Sequence, residues 1–91
     1  DKPYQPAPEF QSLYEDVVVP PAEERGAPGY EILPEFLKDS EGRRRYLHNF
    51  GGVERYQESA RNYFRSITGM DAYIGRLLST LERAGVAQTT L

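Results

Sequence analysis

Between Gly52 and Gly85, apolar side chains recur at Val53, Tyr56, Ala60, Tyr63, Phe64, Ile67, Met70, Ile74, Leu77, Leu78 and Leu81. The steps along one face are three or four residues, the period of an amphipathic α-helix, so the pattern predicts one continuous helix. Arg55, Glu58, Arg61, Arg65 and Arg83 fall mostly off the stripe, where solvent or another surface can take them. No proline interrupts the run. Arg83 in the last turn and Gly85 just beyond it mark the end, because a left-handed C-terminal cap favours glycine. At 1.5 Å per residue such a helix spans about 48 Å, long for a small domain. It needs something large to lie against. Gly69 and Gly75 each cost roughly 0.5–1 kcal/mol relative to alanine in a helix interior, a cost that close packing on another backbone offsets. Asp71, between them, reads as a structural side chain that hydrogen-bonds a neighbouring segment.

The other apolar groups are short and broken by proline and glycine. Residues 1–8 hold three prolines, which predicts irregular backbone. Pro8 then suits the first position of a short helix over residues 9–14, with Phe10, Leu13 and Tyr14 on its apolar side. Val17, Val18 and Val19 have extended character, limited to an edge or a loop by Pro20-Pro21. Residues 22–29 read as a turn-rich linker. A second short helix is predicted at about Glu35–Lys38, with Pro34 in its first turn, and a third follows the start signal at Ser40. Gly51-Gly52 separates that helix from the long one. Residues 86–91 read as a turn leading into a strand. The chain thus divides into a Pro-rich loop region with a short helix (1–29), short helices (30–50), the long helix (52–85) and a strand start (86–91). As an isolated piece it is expected to be mainly α with irregular loops.

Composition sharpens this picture. Ninety-one residues make one small domain, and a chain of this size buries only roughly 60–65% of its unfolded surface. The hydrophobic fraction of 38% is low, whereas seven prolines and eight glycines are generous. With no cysteine there are no disulfides, thiolate metal sites or cysteine nucleophiles, and one histidine cannot build a zinc site alone. No apolar run approaches the roughly 18 residues of a membrane span, and no signal-peptide pattern is read at the start of these residues. Its first residue is aspartate rather than methionine, which suggests a processed or excised piece. The net charge of −3 is split: residues 1–41 carry −7 and residues 42–91 carry +4. A split of this kind fits two halves that face different neighbours, or each other, and equally fits two solvated faces of opposite sign.

The search for chemistry is mostly negative. Arg43-Arg44-Arg45 is the densest basic patch; guanidinium forks match oxyanions, but pairing with the acidic first half accounts for it better. Nucleic-acid binding is not expected, because the chain is acidic and no reading motif accompanies the patch. His48 has no serine or cysteine beside it to act as a nucleophile. There is no phosphate-binding glycine loop, paired-histidine metal motif or nucleophile elbow. From the residues alone, this is a helical piece without a recognisable active site.

Two stretches nevertheless resemble the formylglycine-dependent sulfatases of the alkaline-phosphatase-like superfamily. RNYFRSITGMDAYIGRLLSTLERAGVAQTTL is similar to the helix that precedes a metal-ligand strand in that family. The matching positions are Tyr63, Phe64, Asp71, Gly75, Arg76, Leu77, Leu78, Leu81, Gly85 and Val86. KPYQPAPEFQSLYEDVVVPP is similar to a family segment of proline, aromatic and proline, then a short helix ending in Leu-Tyr, then Pro-Pro. Those positions are Pro3, Tyr4, Pro6, Phe10, Leu13, Tyr14, Pro20 and Pro21. The middle, EGRRRYLHNFGGVERYQESARNYF, resembles the linking region of carbohydrate-type bacterial members.

The resemblance implies a fragment of an α/β sulfatase domain that hydrolyses sulfate esters, with a lean toward sulfated carbohydrates. It implies calcium and a formylglycine in the parent protein. Neither the Cys/Ser-x-Pro-x-Arg motif that supplies the formylglycine nor the Asp-His/Asn-Gly calcium motif occurs here, and Asp1 stands where the family usually has a sulfate-contacting histidine. No catalytic, cofactor or metal residue is therefore carried over. Lys2, Tyr4, Arg45 and His48 are candidates to line a substrate mouth, while Asp71, Gly75 and Leu78 are family-like structural positions. The family is commonly exported, periplasmic or lysosomal. Two alternatives stand beside this reading: a phosphonate or phosphate ester hydrolase of the same superfamily, and a stand-alone helical interaction module. The expected partner is the remainder of a parent catalytic domain, or a second copy through the long helix, and neither nucleic acid nor membrane. The helix then reads as a cover whose sheet lies elsewhere, with much of its apolar stripe exposed.

Overall fold

The computed structural model describes residues 4–20 and 31–91; Lys2, Pro3 and the predicted linker over residues 22–29 lie outside the described residues. Two short helices, α1 (Glu35–Lys38) and α2 (Glu41–Phe50), lead into the long helix α3 (Val53–Arg83), which runs unbroken for 31 residues. The molecule measures 57 × 31 × 25 Å, its long dimension set by α3. It is mainly helical, and no strand occurs among the described residues.

Local sequence signals set the helix ends. Pro34 precedes α1 at φ −52° and ψ 144°, so it caps the helix rather than occupying its first turn. The Ser40 hydroxyl accepts the amide hydrogen of Arg43 at 3.2 Å, satisfying one of the free donors at the start of α2. At the α2–α3 corner, the Gly51 amide donates to the Leu47 carbonyl at 2.9 Å. An added Cβ at Gly51 would collide with that same oxygen, and Gly52 follows at φ +86°. The corner turns α2 back against α3. There, Arg55 Nη1 donates to the His48 carbonyl at 2.9 Å, and the Ser59 hydroxyl donates to the Asn49 carbonyl. These bonds satisfy carbonyls that the end of α2 leaves without intrahelical partners.

The far end of α3 closes as its sequence predicts. Gly85 takes φ +72°; its amide reaches the Glu82 carbonyl at 3.0 Å, and the Val86 amide reaches Leu81 at 3.1 Å. This pair of bonds is a Schellman cap. The strand start expected over residues 86–91 is instead a 3-10 turn, Ala87–Thr89. The hydroxyls of Thr89 and Thr90 both donate back to the Val86 carbonyl, at 3.1 and 2.7 Å. Local threonine bonds have curled a segment whose residue types favour strand.

The short helix expected over residues 9–14 is reduced to a 3-10 turn at Pro8–Phe10, followed by turns as far as Asp16. Tyr14 ends any helical continuation by adopting φ +63°, a region that costs a non-glycine residue on the order of 1 kcal/mol. Residues 4–20 form a strap that runs out along α3, reverses near Phe10 and returns. Phe10 sits against Gly69, 3.2 Å from where a Cβ would stand, and 6.5 Å from the Tyr73 ring centre.

Little of this molecule is a closed core. Ala60 is the single buried apolar residue among the described residues. Packing comes instead from an aromatic seam between α2, α3 and the strap. Tyr46 stacks on Phe50, Phe50 meets Tyr56 and Tyr4, and Tyr4 meets Tyr63 edge-on at 5.2 Å. Tyr63, Phe64 and Tyr14 continue the seam. Aromatic pairs of this kind contribute about 0.5–1.5 kcal/mol each beyond the area they bury.

Candidate interaction face

One side of α3 is used to hold the strap by its backbone. Tyr56 Oη donates to the Pro20 carbonyl at 3.1 Å. The Gln57 amide accepts from the Val19 N–H at 2.9 Å and donates to the Val19 carbonyl at 2.6 Å. Arg61 Nε donates to the Val17 carbonyl at 2.8 Å, and Arg65 Nε to the Leu13 carbonyl at 2.6 Å. The Tyr14 and Thr68 hydroxyls share a bond of 2.7 Å, and Arg76 meets Glu9 at 3.3 Å. The partners descend the strap as they climb the helix. An irregular segment is thus supplied with the donors and acceptors that a neighbouring strand would otherwise offer.

This ladder is what the sequence pattern did not reveal. Arg61 and Arg65 lie off the apolar stripe, which was compatible with solvent. They are instead the residues that seat residues 13–17, and Arg65 is 9% exposed. The available signal was the recurrence of long hydrogen-bonding side chains at Tyr56, Gln57, Arg61 and Arg65 along a helix whose N-terminal neighbour is rich in proline. Nothing in that spacing names the partner carbonyls.

The apolar stripe itself remains open. Ile67, Met70, Ile74, Leu77 and Leu78 are 47, 63, 49, 59 and 54% exposed, and Tyr63 and Tyr73 are also exposed. Beyond Gly69 the strap meets α3 at Phe10, whose ring faces Tyr73, and at Glu9, which pairs with Arg76. Two grooves flank this meeting. The larger, about 560 Å³, is apolar and lies between Pro6 and Ala7 on the strap and Met70, Tyr73, Ile74 and Leu77 on α3, with Arg65 bordering it. The smaller, about 440 Å³, is polar and is bordered by Tyr4, Gln11, Glu58, Asn62 and, again, Arg65.

The residues singled out from sequence scatter over this framework. Lys2 is outside the described residues. Tyr4 is half-buried in the aromatic seam. Arg45 is exposed on α2 and pairs with Glu41 at 3.0 Å. His48 is exposed, and its carbonyl takes the Arg55 bond. No hydrogen bond, ion pair or ring contact among the described residues joins Tyr4 to Arg45 or His48. Arg44 also pairs with Glu41, so two arginines of the basic patch meet the last carboxylate of the acidic first half, within one turn of α2. Asp71 is exposed and bonds to none of the described residues, where a hydrogen bond to a neighbouring segment was expected. Gly75 faces open space, so it has no close neighbour here, while Gly69 is filled by the Phe10 ring rather than by another backbone. Leu78 belongs to the open stripe.

Among the described residues, no three His, Cys, Asp or Glu side chains gather where they could hold a metal ion. No helix among them is long and apolar enough to cross a membrane. No protein-family profile, curated protein or solved structure matches this chain.

Proposed function

We propose that these 91 residues are a scaffold segment of a sulfatase-type hydrolase, a catalytic domain of alkaline-phosphatase-like α/β architecture that acts on sulfate esters. Sulfated carbohydrates are the favoured class of substrate. The observation that carries this reading is the half-exposed apolar stripe of α3. An amphipathic helix gains most of its stability from covering an apolar surface, and an open stripe of this length calls for a neighbour. A sheet in the rest of the domain supplies that neighbour. The segment alone is inactive.

The resemblance to sulfatases implies calcium and a formylglycine in the parent protein. The described residues offer no converging ligand set for the metal and no cysteine. Both groups are therefore assigned to parts of the parent outside this segment, and no catalytic step is derived through them. Lys2, Tyr4, Arg45 and His48 remain proposed as residues near the substrate mouth. Unchanged turnover of alanine variants at Lys2 and His48 in the full-length protein removes those two from the site.

The test is the coding sequence on either side, followed by the full-length protein. A Cys/Ser-x-Pro-x-Arg motif upstream and an Asp-His/Asn-Gly motif downstream are expected, with formylglycine found by mass spectrometry and hydrolysis of sulfated sugars. Preferential cleavage of phosphate or phosphonate esters moves the protein to that branch of the superfamily. Stop codons closely bracketing these residues overturn the proposal in favour of a stand-alone helical interaction module.

A further inference from the structure

Arg65 carries a charge for which the described residues provide no carboxylate. Arginine is rarely this buried without an ionic partner. Its 9% exposure comes with two bonds, both to neutral oxygens: Nε to the Leu13 carbonyl and Nη1 to Asn62 Oδ1 at 2.9 Å. Nη2 makes no hydrogen bond to the described residues. Among the described residues no buried side-chain nitrogen or oxygen lacks a partner, so Nη2 is not sealed away from the surface. Arg65 borders both grooves. Glu58, the acid bordering the polar one, is exposed and already engaged in an interaction of its own. Beside Arg65, the larger groove is walled by Met70, Tyr73, Ile74 and Leu77. A cationic side chain therefore borders an apolar trough.

We infer that the occupant of this groove is a protein segment whose apolar side chains lie along Met70–Leu77 and which brings one Asp or Glu carboxylate to Arg65 Nη2. Charge complementarity selects it. A purely apolar occupant would bury the guanidinium further without a counter-ion, which is unfavourable, whereas a charge-assisted N–H to carboxylate bond offsets that burial. A second copy of α3 fits less well: its own acids near the stripe, Asp71 and Glu82, are both exposed and flank rather than lead an apolar run. This inference rests on the reading of the chain as a scaffold segment, and it specifies the neighbour that covers α3.

The probe is a pair of blocked pentapeptides, acetyl-Leu-Val-Glu-Leu-Val-amide and its Gln counterpart, titrated into the 91-residue chain. Binding is followed by NMR at the Arg65 side-chain N–H and the Tyr73 ring. The Glu peptide is expected to bind at least about tenfold more tightly than the Gln peptide, one charge-assisted bond being worth about that factor. The preference should shrink as salt is raised. Arg65→Gln should abolish the preference. Because Arg65 also seats the strap, Met70→Glu serves as a second variant; it lies in the exposed trough and should weaken the Glu peptide more than the Gln peptide. Equal affinity of the two peptides overturns the inference, as does binding of neither. Concentration-dependent self-association that Met70→Glu abolishes, with no peptide binding, assigns the face to a second copy instead. These outcomes are independent of the flanking motifs and of sulfate-ester hydrolysis, so failure here leaves the sulfatase reading to its own test.

Discussion

Gln57 brackets Val19 with one side-chain amide, accepting from its N–H at 2.9 Å and donating to its carbonyl at 2.6 Å. A primary amide presents the same donor and acceptor as a peptide group, so Gln57 does for one residue what a strand neighbour does for several. Gln57→Leu keeps the approximate volume and leaves both Val19 groups without partners. Loss of about 1–3 kcal/mol is expected from two part-buried polar groups left unsatisfied. Hydrogen exchange reads it directly: the Val19 amide should lose its protection while amides in the middle of α3 keep theirs.

Gly69 and Gly75 occupy the same helix but different surroundings. At Gly75 nothing lies within 4 Å of an added Cβ, whereas at Gly69 the Phe10 ring is 3.2 Å away. Gly75→Ala should therefore stabilise the isolated chain by roughly 0.5–1 kcal/mol through helix propensity alone. Gly69→Ala gains the same propensity but must displace Phe10, and should fall short of Gly75→Ala by at least about 0.5 kcal/mol. Urea unfolding of the two variants side by side decides it. In the parent protein the ordering at Gly75 is expected to reverse if the covering surface packs closely there.

Ser40 holds the first turn of α2 through one hydroxyl. Ser40→Ala should cost about 1 kcal/mol, and Ser40→Asp should restore most of it, since a carboxylate accepts the same amide and suits the helix N-terminus. Thermal unfolding monitored by circular dichroism provides the comparison. Removing the exposed Glu41–Arg45 pair should change stability far less.

The open stripe predicts a contrast between the isolated chain and its parent. Leu77→Gln alters a side chain that is 59% exposed here, so the isolated chain should change by no more than about 0.5 kcal/mol. In the proposed parent protein, where a neighbouring surface would cover the same residue, the cost should rise to about 2 kcal/mol or more. Equal small effects in both settings would show that nothing covers α3 at this point.

The long helix was legible because each of its signals is local: the three-and-four spacing, the absence of proline, and Gly85 after Arg83. Ser40 and Gly51-Gly52 were legible for the same reason. The strap was not. Its backbone groups are bonded by side chains 36 to 52 residues away, and Arg61 and Arg65 look like any solvated arginines until their carbonyls are known. The misread end at residues 87–89 is a smaller case: threonine favours strand, yet with no neighbouring strand in place its hydroxyl closes a turn on the nearest carbonyl. The candidate mouth residues share no such interaction, and no pattern of spacing among Lys2, Tyr4, Arg45 and His48 could have shown whether they meet.

The strap also fixes an order of events. Leu13 is translated 52 residues before Arg65, the side chain that holds its carbonyl. While a chain emerges from its N-terminus, residues 13–20 have nothing to bind until α3 exists. Helix α3 needs only its own neighbours to begin. Formation should therefore run backward along the sequence, α3 first and the strap last. In pulse-labelled refolding, the earliest protected amides should lie in α3 and the Val19 amide should follow later, although it belongs to the older end of the chain.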